Sequence, residues 1–174
     1  MPSRSARPRR VRTSLIELPM LSPEDREPPD ATRVHDEERE ARQLALAAVF
    51  EADFGQHTAN SVLERRISDE QTAPTVASMA RDIVAAVLVN RERIDAQIEQ
   101  IAPRYPVVQL AKIDRALLRC AMAELLHSRT TPARVAIAEW VELARTYSGE
   151  PARRLLNGVL GRVVRDSQTG GSTE

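Results

Sequence analysis

Aromatic side chains are scarce in this sequence: one Trp, two Tyr and two Phe among 174 residues. A core cannot be assembled around rings, so it must come from Leu, Val, Ile and Ala, which suits helices packed closely through small residues. Cysteine is rarer still. Cys120 is the only one, which excludes an intramolecular disulfide and a multi-cysteine zinc site and fits a reducing cytoplasm. No apolar run approaches the ~18 residues of a membrane span, and the first residues lack the apolar core of a signal peptide. Neither a membrane partner nor export is expected. A GxSxG turn, a P-loop and a dinucleotide fingerprint are all missing. His35, His57 and His127 have no mutual spacing suited to a metal. Glu139 and Glu142, three apart on a helix, read as a solvated face or a helix-pairing contact rather than an acid–base pair. With no parts for catalysis and no cofactor expected, the chain should work by binding.

Lysine is also nearly missing. Lys112 stands alone against 24 arginines, a balance that suits phosphate recognition, because the guanidinium fork matches phosphate oxygens. Codon bias toward Arg explains it equally well. Formal net charge is zero, yet the charges are uneven along the chain. Residues 36 to 109 carry eight basic and thirteen acidic side chains, whereas residues 110 to 165 carry ten and five. A phosphate backbone would be drawn to the second half, or to the basic run Arg4, Arg7, Arg9, Arg10 and Arg12.

Residues 1 to 35 contain six prolines among charges and predict a disordered tail. From Asp36 the apolar residues take helical spacing. Ala41, Leu44, Ala45, Ala48 and Val49 mark a first helix ending near Gly55, and Val62, Leu63 and Ile67 a short second one. A third follows through Val76, Ala80, Ile83, Val84 and Val87, and a fourth through Ile94, Ile98 and Ile101, ended by Pro103 and Pro106. Leu110, Ile113, Leu117, Leu118 and Ala121 make a fifth, apolar enough to be central. Pro132 opens a sixth, and Pro151 suits the first turn of a seventh. Gly158 and Gly161 in the seventh suggest close approach of something. The expected class is all-α, about seven helices in one or two bundles over residues 36–166, with a polar tail at 167–174.

Two arginine pairs are candidates for phosphate contact. Arg39 and Arg42 lie three apart near the start of the first helix, and Arg115 and Arg119 four apart on the fifth, each pair on one helical face. Asp36, Glu37, Glu38 and Glu40 surround the first pair, so local ion pairing competes with RNA contact there. An intramolecular role competes equally for the second.

The segments KIDRALLRCAMAELL (112 to 126), VAIAEWVELAR (135 to 145) and LLNGVLGRV (155 to 163) resemble the NusB family of transcription antitermination factors. EARQLALAAVFE (40 to 51) and ARDIVAAVLVNRERIDAQI (80 to 98) extend the resemblance to about 125 residues in order. It implies two packed helical bundles, binding of the boxA element of ribosomal RNA transcripts together with ribosomal protein NusE, and a role in the antitermination complex of RNA polymerase. It carries RNA contact to Arg39 and Arg42, and by extension to Arg115 and Arg119. Leu155 and Asn157 match the motif where the partner surface is expected. Self-association as a homodimer is left open. Glu38 and Glu40 stand where the family commonly has basic residues, Ala138 where it has Asn, Leu155 where it has Phe, and Pro151 where it often has an acid. The alternative is therefore a NusB-fold protein-interaction module with reduced or lost RNA binding.

Overall fold

The computed structural model describes residues 31–169. These form six α-helices: α1 (Ala31–Ala52), α2 (Ala59–Asp69), α3 (Pro74–Ile101), α4 (Lys112–His127), α5 (Ala133–Tyr147) and α6 (Glu150–Thr169). A 3-10 turn at Val107–Gln109 leads into α4, and no strand occurs among the described residues. Helices α1, α2 and α3 pack as one bundle and α4, α5 and α6 as another, with α4 lying against both α1 and α3. This is the all-α, two-bundle arrangement expected.

The stripes read as a third and a fourth helix lie on one helix, α3. Val87 and Ile94 are seven residues apart, two helical turns, so the buried face runs straight through. Arg91 occupies that face between them, with its guanidinium 4.0 Å from Asp53 at the end of α1. A charged residue on an otherwise apolar stripe made one helix look like two.

Local signals set the ends. The Thr58 hydroxyl accepts from the Ser61 amide at 3.2 Å and caps α2. Pro74 sits in the first turn of α3, and Pro132 stands immediately before α5. Gly149 turns the chain between α5 and α6 at a φ of +101°, where a β-carbon would be strained. Helix α1 starts at Ala31, so Ala31–His35, taken as tail from composition, form its first turn. The basic run Arg4 to Arg12 and the last five residues lie outside the described residues.

Helix α4 is the centre of the fold. Ala116 to Glu124 are nine consecutive buried residues, which a helix can show only when neighbours cover every side of it. Leu117, Leu118 and Met122 pack there with Trp140, Leu143 and Leu156, all without exposure. Burial pushes the Cys120 thiol up, and the charge of Glu124 adds to the shift, so this cysteine stays protonated and inert. No helix among the described residues is long and apolar enough to cross a membrane.

Candidate functional site

The four candidate arginines fall in three different places. Arg42 is fully buried between α1, α4 and α5. Its Nε and Nη2 donate to the two Glu124 oxygens at 3.0 and 2.8 Å, and Glu38 lies 3.6 Å away, one turn earlier on α1. The Trp140 indole N–H donates to the same Glu124 carboxylate at 2.7 Å. In this arrangement the Arg42 side chain has no surface to offer a phosphate. Arg39, one turn earlier, is half-buried, and its side chain makes no hydrogen bond among the described residues. It faces α5: Glu142 is held below its ordinary value by hydrogen bonds from Arg145, with the fields of Arg145, Arg39 and Arg153 adding to the effect.

Arg115 and Arg119 are brought together with Asp53, a residue that sequence reasoning passed over. Arg115 Nε donates to Asp53 Oδ2 at 2.8 Å, and Arg119 Nη1 to Asp53 Oδ1 at 3.2 Å. The other edge of the Arg119 fork makes two bonds, 2.9 and 2.8 Å, to Asp95 on α3. Burial opposes the charge on Arg119, but the hydrogen bonds and charges of Asp95 and Asp53 outweigh it and raise its pKa. Its side chain is only 5% exposed, and that of Arg115 14%. Arg91 completes the cluster from α3 with a half-exposed side chain. One carboxylate thus gathers three guanidiniums from two helices and fixes the end of α1 against α3 and α4. Asp53 and Arg115 are 62 positions apart, and no spacing rule connects them.

Beside this cluster lies a second group. Phe54 is 55% exposed. Its ring stands edge-on to Phe50, with centroids 5.3 Å apart and planes at 84°. The Lys112 ammonium sits 3.8 Å from the centre of the Phe54 ring, the geometry of a cation–π contact.

Leu155 lies on α6 and faces open space that reaches Leu110 and Asp114 at the start of α4. Two hollows of about 450 and 520 Å³ share Leu155 and Tyr105 in their walls. The first adds Arg104 and Gly158, and the second Leu110 and Pro151. Asn157 is exposed on the same helix. A β-carbon built on Gly158 would meet nothing within 4 Å, and one on Gly161 only the Arg165 side chain at 3.5 Å. The close approach expected at these glycines is not made by another part of the described chain. Tyr105, 52% exposed, is the residue that composition alone could not rank here.

An all-helical pair of bundles with a surface cluster of guanidiniums and a partly apolar groove defines a helical binding domain. The NusB family model matches residues 39–165, and the chain belongs to the NusB family. Among curated relatives, the transcription antitermination protein NusB of Dehalococcoides mccartyi (strain CBDB1) is 40% identical over 128 residues, 73% of this chain and 89% of that protein. That of Chloroflexus aggregans is 38% identical over 134 residues, covering 76% and 89%. Among solved structures, T. maritima NusB matches with a TM-score of 0.69 at 28% identity, covering 74% of this chain and 91% of that one. A structure of antitermination factors NusB and NusE in complex with dsRNA shares the fold, with a TM-score of 0.68 at 20% identity over 75% of this chain and 98% of that one.

Proposed function

We propose that this protein is a transcription antitermination factor that acts in the cytoplasm by binding boxA RNA of ribosomal RNA transcripts jointly with ribosomal protein NusE, as part of the RNA polymerase antitermination complex. The observation that carries this reading is the family match across the whole helical domain, residues 39–165, with relatives named for antitermination. The reading assigns RNA to the edge built by Arg115, Arg119 and Arg91 around Asp53, and to Arg39. Arg119, 5% exposed, serves this surface from beneath as a strut, and Arg42, buried against Glu124, is given no RNA contact. The groove of Tyr105 and Leu155, with the exposed Asn157 on the same helix, is assigned to the protein partner. An aromatic and an aliphatic side chain beside open space suit a protein anchor.

One observation favours the alternative of a protein-interaction module with weak RNA affinity: Arg42 is buried while its neighbour Glu40 is exposed. Fluorescence anisotropy separates the two. A labelled boxA RNA is titrated with the protein, alone and with purified NusE, at two salt concentrations and against a scrambled RNA. The antitermination reading expects sequence-preferring binding, strengthened by NusE. The binding should weaken with salt by a log–log slope of ~0.7 per phosphate neutralised. NusE binding with no RNA affinity in any condition would establish the alternative.

A further inference from the structure

We propose that the Phe54 ring, held from behind by Lys112, is a stacking platform for one base of single-stranded RNA. The inference rests on the RNA-binding reading above and adds to it a residue and a mode of contact. The chain has five aromatic side chains, and the fold disposes of two. Trp140 is buried as the Glu124 donor, and Phe50 is half-buried. Tyr105 and Tyr147 are exposed as well, but Tyr105 lines the groove given to the protein partner, and Phe54 is the exposed ring with an ammonium seated against it. It is also fixed: Phe50 packs against it at 84° and the Lys112 ammonium lies over one face. A ring already ordered costs little further entropy when a base stacks on it.

The charge around the ring favours a polyanion. Asp53, next to Phe54 in sequence, and Asp95 are two carboxylates, and they face Arg91, Arg115, Arg119 and Lys112. With Asp114 in the first turn of α4 counted as a third carboxylate, this leaves an excess of one positive charge. Glu51, the other acid on the last turn of α1, is already held by Arg65 and Arg66 on α2. Helix α4 begins at Lys112 with no side-chain cap, and the partial positive charge of its first amides is offset by Asp114 in the same turn. An aromatic face within a positive patch is how single strands are bound, because every base has a π-face while a duplex hides it.

The test uses the full chain and a boxA oligonucleotide in which 2-aminopurine replaces each base in turn. Affinity is read by anisotropy, stacking by fluorescence quenching and folding by urea denaturation. Phe54→Leu should lower affinity by about 5- to 100-fold, abolish quenching at one position and leave the salt slope and the urea midpoint unchanged. Phe54→Tyr should retain binding and quenching. Lys112→Met should make the salt slope shallower by ~0.7. If the unsubstituted protein binds RNA and Phe54→Leu binds it equally well with the same quenching, the platform is refuted while the function stands. If Phe54→Leu weakens only the association with NusE, the ring is a protein contact and the proposal is wrong. No RNA binding by the unsubstituted protein, with or without NusE, would overturn both.

Discussion

Arg42 and Glu124 form a two-bond ion pair in which the arginine side chain is 0% and the glutamate 1% exposed. The pair joins the first helix of one bundle to the central helix of the other. Removing one member strands the other charge in a place without water, which costs ~3–5 kcal/mol. Arg42→Ala should therefore lower unfolding stability by about that amount in urea denaturation, while RNA affinity per folded molecule stays unchanged. A stable Arg42→Ala protein with weakened RNA binding would mean that the guanidinium turns outward in solution. Trp140→Phe should cost less, ~1.5–3 kcal/mol, because Glu124 keeps Arg42 and loses one donor.

Leu117 has no exposure and sits within the unbroken buried run of α4. Leu117→Ala should cost ~2–5 kcal/mol through lost burial and the cavity left behind. Val84 is equally buried on α3 and deletes less volume, so Val84→Ala should sit at the low end of that range. Urea midpoints for the two variants check the order. Neutral substitutions would show that the packing of α4 against α3 is looser than the structure has it.

How much of this was legible follows from the range of each interaction. The stripes through Leu117, Val84 and Leu156 are local patterns, and they gave the helices and the core. Arg91 misled because its reason for sitting on an apolar face is Asp53, on another helix. Arg39 and Arg42 share a helical face by spacing, yet only Arg42 is buried, since Glu124, 82 positions away, fills the space opposite it. Arg115 and Arg119 were read as a pair and are one, but what unites them is a carboxylate no spacing points to. The charged contacts are decided by tertiary packing, and the sequence carries only their participants.

Glu150 opens α6, where hydrogen bonds from Arg153, opposed by partial desolvation and joined by those of Arg154, lower its carboxyl from 4.5 to about 2. A folded pKa below the unfolded one means the contribution is present above about 4.5 and is lost as pH falls toward about 2. The residue is on the surface, so the effect on stability is small and salt-sensitive. NMR titration of the Glu150 carboxyl should give a midpoint near 2, and Arg153→Ala should move it up toward 4.5. A midpoint already near 4.5 in the unsubstituted protein would show that the pair is not populated in solution.

Asp53→Asn should move stability and RNA affinity in opposite directions. On the folding side, Arg115 and Arg119 would share one neutral amide oxygen in place of a carboxylate, with the Val107 and Val108 carbonyls at 3.4 Å as the other acceptors of Arg115. Arg119 would still hold Asp95 through two bonds. A loss of ~1.5–3 kcal/mol follows, the worth of hydrogen bonds to a charged group. On the binding side, neutralising Asp53 leaves Asp95 and Asp114 against Arg91, Arg115, Arg119 and Lys112, so the positive excess rises from one to two charges. A single strand passing this edge should bind more tightly at low salt and with a slope steeper by up to ~0.7. Anisotropy across a salt series, run below the urea transition of the variant, measures both. Weaker binding with an unchanged slope would mean instead that Asp53 matters to RNA chiefly by ordering the arginines, and that their geometry outweighs their number.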